Sequence, residues 1–314
     1  MLEISVRGKW TTVPSFVFGD KTIFIWGRWA KTARIHDEAW LDSELTSPED
    51  CLQQLRSQRP KADLFSFAHM PPKRQAEFHY HSEPDSIAAI PLNDYKQWWE
   101  SLPQETRKNV RRAERRGVRV ETRAFSDELV AALVQLNNSS SVRQGRRYTH
   151  FGKSFEEVKK DHASFLDRST FFCAHFEGQL IGFIKLVRRG HIASILNILT
   201  DEKHSDKRPA NALMAAVVQH CFQEGLTCLT YGYFHYGNKR DTSITEFKVR
   251  HGFVEVLVPR YFIPLTLIGK AYIALGLHRG LIGLLPGELL KFGVALRAKW
   301  YDVRNTTLAG VAQR

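Results

Sequence analysis

A dense run of arginines and lysines is the part of this sequence best suited to chemistry with a charged ligand. The stretch LPQETRKNVRRAERRGVRVETRAF holds eight basic residues between Arg107 and Arg123. Helical spacing places Arg107, Arg111 and Arg115 on one stripe, with Lys108, Arg112 and Arg116 on the next. Because like charges repel when they are held this close, we interpret the helix as a surface for phosphate groups. A solvated face without a ligand is the alternative.

A second polar segment, VRQGRRYTH at residues 142–150, could hold a substrate. Its candidate substrate-binding residues are Arg143, Gln144, Arg147, Tyr148 and His150. The side chains suit an anionic or sugar-linked substrate, and Gly145 permits a tight turn. An exposed basic loop is the alternative. Lys185 stands alone in an apolar strand, and since burying an unpaired lysine is costly we predict a substrate-binding or ion-paired role for it.

Composition sets the frame for these segments. The chain has 314 residues, 43% of them hydrophobic, which is enough for two domains with real cores. The formal charge of +12 favours anionic partners such as phosphate cofactors, RNA or a membrane surface. None of the four cysteines forms a Cys-x-x-Cys pair, so we expect free thiols and no metal. No apolar run reaches about 18 residues and no signal core is present, which predicts a cytoplasmic protein.

Hydrophobic periodicity divides the chain into three parts. Residues 1–100 mix short strands and helices without a catalytic signature. Residues 101–262 follow the order strand, two helices, three antiparallel strands, helix, strand, helix, strand. Residues 263–314 alternate apolar stretches with basic residues, and each stretch is too short to span a bilayer. We therefore predict an α/β (α+β) protein with a helical tail, which either packs on its own domain or lies on a membrane through residues 263–300.

Four motifs in the middle part resemble those of the GNAT superfamily of N-acyltransferases. They are the entry segment ETRKNVRRAERRGVRV, the hairpin FFCAHFEGQLIGFIKLV, the loop and helix DKRPANALMAAVVQHCFQEGLTCLTYG, and ITEFKVRHGFVEVLVPRY. The entry segment is most similar to the Fem-type branch, the peptidoglycan-bridge aminoacyltransferases. The resemblance implies a mixed, mainly antiparallel sheet flanked by helices. Fem-type proteins have two tandem GNAT-like domains, so residues 1–100 are the candidate for a first copy.

The resemblance also assigns roles to residues of this chain. Donor phosphates would lie at the start of the helix after the third antiparallel strand, with Asn197 near the acyl carbonyl. The corresponding cofactor contacts are Lys207, Arg208, Ala210 and Asn211, where the glycines of the usual GNAT loop are absent. Tyr236 is the first candidate acid for the leaving group and Tyr231 the second, with His204 as a candidate base. Lys248 is a further candidate substrate contact.

The missing glycines leave the donor open between acyl-CoA, such as acetyl-CoA, and an aminoacyl-tRNA. Fem-type enzymes resemble this chain in lacking that loop, and many use charged tRNA, for which the arginine helix would be a backbone-tracking surface. The resemblance implies an amine acceptor, linked to the cell envelope or to a sugar. The alternative from another class is a non-catalytic module that binds RNA or an anionic membrane surface.

Overall fold

Alternating apolar and polar residues form seven strands within the described part of the first hundred residues. The computed structural model describes residues 1–6, 9–143, 146–235 and 242–279. The first strands are β1 (Leu2–Val6), β2 (Lys9–Val13), β3 (Ser15–Phe18), β4 (Lys21–Trp26) and β5 (Thr32–Ile35). Helix α1 (Pro48–Ser57) then begins at a proline, which fits a first helical turn. Strands β6 (Leu64–Ala68) and β7 (Ser82–Pro91) complete this first half, residues 1–91.

Capping residues fix the helices that follow. These are α2 (Tyr95–Ser101), the arginine-rich α3 (Gln104–Arg115), α4 (Asp127–Asn137) and α5 (Phe155–His162). Ser126 accepts a hydrogen bond from the Leu129 amide, as its position before an apolar stripe predicts. Gly117 has φ of +87° just after α3, which is the conformation that ends a helix at glycine. Strand β8 (Arg119–Arg123) and the short β9 (Val142–Arg143) and β10 (Arg146–Arg147) lie between the helices.

The second half continues with long strands around one central helix. The strands are β11 (Ser169–Phe176), β12 (Gln179–Arg189), β13 (Ile192–Thr200), β14 (Cys228–Tyr233) and β15 (Val254–Pro264). Helix α6 (Pro209–Gln223) joins β13 to β14, and α7 (Ser243–Arg250) joins β14 to β15. Helix α8 (Leu267–Ala274) and a 3-10 turn (Leu277–Arg279) end the described chain.

The two halves exchange strands within one sheet of eleven strands. Its order is β3-β4-β5-β6-β15-β7-β14-β13-β12-β11-β8. In each half a parallel pair, β5 with β6 or β13 with β14, is joined through one helix. Strand β7 follows β6 in sequence but pairs with β14, while β15 follows β14 but pairs with β6. The first half thus repeats the topology of the second, and each half gives its last strand to the other.

Helices cover the sheet unevenly, which decides where a ligand can enter. Helices α2, α3 and α6 pack on one face of the second half, and α4 and α5 pack on the opposite face. In the first half, α1 covers one face through a cluster that includes Leu55, Phe65 and Phe67. The face that carries α4 and α5 therefore stays open above the first half.

The mixed, mainly antiparallel sheet confirms the predicted fold class. The predicted domain boundary at residue 100 stays a prediction. The exchanged strands place residues 82–91 beside strand β14 of the second half and residues 254–264 beside strand β6 of the first half. Of the predicted tail, residues 280–314 lie outside the described residues. Within the described ranges, no helix has the length and apolarity that crossing a bilayer requires.

Candidate functional site

The parallel strands β13 and β14 separate in the middle of the second half. They pair over only three residues each, 192–194 with 228–230. Leu196 is an extra residue in β13, because Lys185 pairs with Asn197 while the next residue, Leu186, pairs with Ile195. Such a bulge bends a strand and leaves backbone groups unpaired. On β14, a register shift before Tyr233 coincides with Gly232 at φ of +54°. Together these features open the sheet between the two strands.

A cavity of about 1420 Å³ lies beside this opening and spans both halves of the molecule. We call it the central cavity. Leu196, Asn197 and Tyr233 line it from the second half, and α5 and the residues after it form one wall. Its first-half lining includes Arg34, Asp37, Glu38 and Asp85. The mixture of carboxylates and cations suits a polar acceptor that carries an amine.

A cluster of charged side chains around Arg260 lines the central cavity. The Arg260 guanidinium donates to Asp85 Oδ2 at 2.5 Å and to Glu38 Oε2 at 2.9 Å. Burial alone lowers the pKa of Arg260, but the charges of Glu38 and Asp85 outweigh that effect and raise it. Because Arg260 lies on β15 and Asp85 on β7, this cluster joins the two exchanged strands.

Replacing Arg260 with Met is expected to lower the free energy of unfolding by about 2 kcal/mol, since two poorly hydrated carboxylates lose their cation. Urea denaturation of both proteins measures the change. Arg34→Met is the matched control, because Arg34 also lines the central cavity but is exposed. Equal losses in the two variants would contradict a structural role for the cluster.

Two of the predicted substrate-binding residues, Lys185 and Lys248, are fully buried and hold the cavity wall. The Lys185 ammonium donates to the His162 carbonyl oxygen at 2.7 Å and to the carbonyl oxygen of Ser164, a cavity residue. The Lys248 ammonium donates to the Tyr233 carbonyl oxygen at 2.5 Å and lies 4.8 Å from the Tyr231 ring centroid. Both lysines thus position backbone that lines the central cavity.

Burial lowers the pKa of Lys248 from 10.5 to about 8. Below pH 8 the lysine is charged in both the folded and the unfolded chain, so the whole cost of burying the charge applies. Between pH 8 and 10.5 only the unfolded chain holds the proton, so folding stability rises with pH. We expect wild type to gain stability relative to Lys248→Met across that window, as measured by urea denaturation at stepped pH. A pH-independent difference would contradict the lowered pKa.

Residues 201–212, here called the donor loop, bring together most of the predicted donor contacts. His204 Nδ1 lies 2.9 Å from Asp201 Oδ2, on the loop and away from the central cavity lining. The side-chain amide nitrogen of Asn211 lies 3.2 Å from His251 Nε2. This contact links α6 to the end of α7. Of the predicted donor contacts, Asn197 lies apart from the loop, at the cavity.

Few backbone amides are available at the start of α6. The Arg208 amide donates to the Ser205 carbonyl oxygen and the Asn211 amide donates to the Arg208 carbonyl oxygen, both at 3.1 Å. Pro209 is the first helical residue and has no N–H. A pyrophosphate bound at a helix N-terminus relies on outward-facing amides. Apart from the amide of Ala210, a predicted donor contact, the groups with which the donor loop can bind phosphate are therefore mainly the side chains of Lys207 and Arg208.

The arginine-rich helix α3 lies next to the donor loop. Arg116, just after α3, donates to the Asp206 carbonyl oxygen at 2.5 Å and approaches its carboxylate at 3.2 Å. The Lys207 ammonium lies 4.6 Å from the Phe176 ring centroid. Three basic residues one helical turn apart on α3 are exposed: Lys108, Arg111 and Arg115. They form a cationic surface on α3, and the end of α3 meets the donor loop through Arg116 and Asp206.

The other two α3 residues predicted to contact phosphate, Arg112 and Arg107, are less accessible to a ligand. The Arg112 guanidinium donates to Asn109 Oδ1 at 3.0 Å and lies 3.8 Å from Glu105. Arg107 is half-buried, and its Nε has no hydrogen-bond partner. Helix α1, which occupies the place of α6 in the first half, begins with Glu49 and Asp50. Acidic residues repel phosphate, so the start of α1 is not a second phosphate surface equivalent to the one at α6.

The predicted acceptor segment reaches the rim of the central cavity. The Arg143 guanidinium lies 4.5 Å from the Tyr148 ring centroid and donates to the Thr200 carbonyl oxygen at 2.7 Å. His150 Nδ1 lies 3.4 Å from Oδ2 of Asp161, a cavity residue. Burial raises the pKa of Tyr148. Gln144, the side chain of Arg147 and Tyr236 lie outside the described residues.

Tyr231 and Tyr233 face opposite sides of the sheet. The Tyr231 ring packs near Phe247 and Phe253, with centroids at 6.3 and 6.0 Å, on the side of α6 and α7. Tyr233 is 40% exposed and lines the central cavity. Strand alternation alone would put both rings on one face, but the left-handed Gly232 between them reverses the second. The sequence indicated Tyr236 first and Tyr231 second as the acid and gave no sign that Tyr233 lines the cavity, because this reversal has no signal beyond the glycine.

One group in the described chain has the side-chain types of a metal site. Ligand atoms of His81, Glu83 and His278 lie within 4.8 Å of one another. The Glu83 carboxylate is already paired, with His278 Nε2 at 2.7 Å and the Arg279 guanidinium at 2.9 Å. Burial raises the pKa of Glu83, but these partners bring it down to about 2. Because the Arg279 charge opposes a cation, we interpret the group as a clamp that fixes residues 277–279 to the cavity wall.

Comparison with known proteins agrees with this geometry. Residues 104–243 match the family model of the acetyltransferase (GNAT) domain. The crystal structure of FemX superimposes with a TM-score of 0.56 at 13% identity, covering 83% of this chain and 90% of that one. L-PGS from Bacillus licheniformis gives 0.52 at 14% identity, covering 86% and 89%. The C-terminal domain of a putative lysylphosphatidylglycerol synthetase from Agrobacterium fabrum gives 0.51 at 13% identity, covering 84% and 88%.

No curated protein sequence matches the chain. The family match covers α3, the donor loop, α6 and the separated strands β13 and β14, whereas Arg260 and the first-half lining of the central cavity lie outside it. The shared fold with FemX extends beyond that match into the first half. The chain therefore carries a GNAT acyltransferase domain on a Fem-like fold.

Proposed function

We propose that this acyltransferase takes an aminoacyl group from a charged tRNA and transfers it to an amine held in the central cavity. The observation that carries the proposal is the contrast at the donor loop. Its amides at Arg208 and Asn211 donate to carbonyl oxygens of the loop itself and Pro209 has no amide proton, while Arg208 and the adjacent α3 offer exposed cationic side chains. The acceptor that fits best is an envelope-linked or sugar-linked amine.

The phosphate chemistry favours tRNA over acyl-CoA as the donor. Coenzyme A presents a compact pyrophosphate, which GNAT proteins bind through amides at a helix start. Here Pro209 supplies no amide, and the amides of Arg208 and Asn211 donate to carbonyl oxygens of the donor loop. A tRNA is bound instead by many separate cations along its backbone. The exposed row Lys108, Arg111 and Arg115 together with Lys207 and Arg208 is of that kind.

The name of one structural neighbour is in keeping with an aminoacyl donor. A lysylphosphatidylglycerol synthetase makes, by its name, a phospholipid that carries lysine. FemX shares the fold over most of both chains. At 13% identity this likeness shows the fold alone, so the donor and acceptor of the present chain rest on its own residues.

The proposed reaction forms a C–N bond from the acceptor amine to the aminoacyl carbonyl and breaks the ester bond to the tRNA ribose. The ribose oxygen must gain a proton and the amine must lose one. Tyr233 lines the central cavity, and burial raises the pKa of its phenol, so it keeps a proton to donate at neutral pH. The Asn197 amide can donate to the carbonyl oxygen as charge develops there.

Asp37 is the proposed proton acceptor for the amine. It lines the central cavity, and burial raises its pKa although neighbouring His36 lowers it. His204, the base predicted from the sequence, lies on the donor loop against Asp201. We assign His204 to the donor surface.

The stability of the labelled product to mild alkali tests the proposal. Bulk bacterial tRNA charged with radiolabelled amino acids is incubated with the protein and an extract of envelope precursors. The ester to tRNA is cleaved by mild alkali, whereas the amide product survives it. Label that becomes alkali-stable only with protein and extract supports the proposal. Alkali-stable label from acetyl-CoA in place of tRNA, or from neither donor, would overturn it.

A further inference from the structure

One exposed segment of the first half and one near the end of the described residues lie side by side and form one apolar and basic surface. The segments are residues 26–31, a turn between β4 and β5, and residues 267–275, which comprise α8 and its end. We call this surface the docking face. We propose that the docking face binds the surface of an anionic lipid bilayer. This inference is independent of the donor and acceptor in the proposed reaction.

Asp63 holds the two segments together. One carboxylate oxygen of Asp63 accepts a hydrogen bond from the Lys31 amide at 2.9 Å. The other accepts from the Thr266 hydroxyl at 2.7 Å, and the Asp63 carbonyl oxygen accepts from the Leu265 amide at 2.8 Å. Helix α8 approaches so closely that a Cβ at Gly269 would lie 1.9 Å from the Asp63 carbonyl oxygen. The turn and α8 therefore form one fixed surface.

Large apolar side chains on the docking face point into solvent. Trp29 is 89% exposed at the tip of the turn, and Leu267 is 80% exposed at the start of α8. Leu267, Ala271 and Leu275 follow each other at four-residue spacing, so they share one side of the helix. Ile268 stands beside them. A tryptophan and aliphatic residues exposed together are typical of a surface that has a partner.

The charges on the docking face identify the partner. Arg28, Lys61 and Lys270 are exposed around the apolar side chains. Asp63 is the sole acidic residue within residues 26–31, 61–63 and 265–279, and both its carboxylate oxygens are hydrogen-bonded. Apolar side chains surrounded by cations fit the boundary between acyl chains and anionic headgroups, where tryptophan is enriched.

The docking face also connects to the central cavity. Helix α8 runs into the turn whose His278 and Arg279 bind Glu83 on the cavity wall. A bilayer bound at α8 would therefore lie close to His278 and Arg279, which line the central cavity.

Vesicle sedimentation with the full chain tests the docking face. Vesicles of phosphatidylglycerol mixed with phosphatidylcholine are compared with vesicles of phosphatidylcholine alone. We expect binding to the anionic vesicles that weakens with added salt. Trp29→Ser and Ile268→Ser should each weaken this binding about tenfold, because each removes one apolar side chain that would insert into the bilayer. Val249→Ser, a matched change at a 53% exposed position on α7, should bind like wild type.

Three results would overturn the proposal. One is that neither kind of vesicle sediments the full chain. Another is that Trp29→Ser binds the anionic vesicles as wild type does. The third is a dimer in solution that Trp29→Ser dissociates without any vesicle binding, which would make a second copy of the chain the occupant.

Discussion

Tyr233→Phe should lower the rate of aminoacyl transfer about 100-fold, the low end of what a positioned proton donor contributes. The phenylalanine keeps the ring but removes the hydroxyl that the proposed mechanism uses to protonate the ribose oxygen. Affinity for charged tRNA should stay unchanged, because Tyr233 lines the central cavity and the cationic surface lies elsewhere. Single-turnover transfer and equilibrium binding, measured on the same preparation, separate the two effects.

Tyr231→Phe is the matched control for this experiment. It removes a hydroxyl two residues away while keeping a ring beside Lys248. Because the Tyr231 ring faces α6 and α7, we expect transfer within a few-fold of wild type. A larger loss in Tyr231→Phe than in Tyr233→Phe would move the proton donor to the other side of the sheet.

Reversing two charges on α3 should have the largest effect on donor binding. In the double variant Arg111→Glu, Arg115→Glu, affinity for charged tRNA should fall by at least about 100-fold at low salt, because two phosphate contacts are lost and two repulsions are added. Both side chains are exposed, so the fold should be unaffected. Filter binding measures the affinity, and urea denaturation checks the stability.

A control with the same change in net charge shows whether position matters. Arg56 and Arg59 are exposed arginines at the end of α1 and beyond it, in the first half. The variant Arg56→Glu, Arg59→Glu should bind tRNA within a few-fold of wild type. Equal losses in the two variants would mean that tRNA responds to overall charge and not to α3.

Local signals were enough to predict the second half. Ser126 caps α4 through its side chain, and Glu177 and Gly178, with φ of +50° and +80°, form the predicted tight turn between β11 and β12. These features depend on residues a few positions apart, which a sequence shows directly. The order of the motifs then indicated the GNAT domain that the family match bears out.

The central cavity could not be predicted in the same way. Its ion cluster joins Arg260 to Asp85 and Glu38, which lie 175 and 222 residues away in the chain. These three become neighbours only because β7 and β15 exchange halves, and no local pattern encodes that exchange. For the same reason residues 1–100 displayed no catalytic signature, although Asp37, Glu38 and Asp85 line the cavity.

Buried lysines were only half predictable. The cost of burying an unpaired ammonium indicated that Lys185 must have partners. The partners proved to be backbone carbonyl oxygens, those of His162 and Ser164, and the Tyr233 carbonyl oxygen for Lys248. Carbonyl groups occur at every residue, so the sequence cannot single out which of them a lysine meets.

Equilibrium binding of labelled aminoacyl-tRNA across a salt series, with acetyl-CoA as competitor, tests the central claim most directly. Five cations lie on α3 and in the donor loop: Lys108, Arg111, Arg115, Lys207 and Arg208. At roughly 0.9 counterions per contact, the logarithm of the binding constant should fall with a slope of about −4.5 against log salt. Excess acetyl-CoA should displace none of the tRNA. A flat salt dependence, or displacement of the tRNA by acetyl-CoA, would contradict the account.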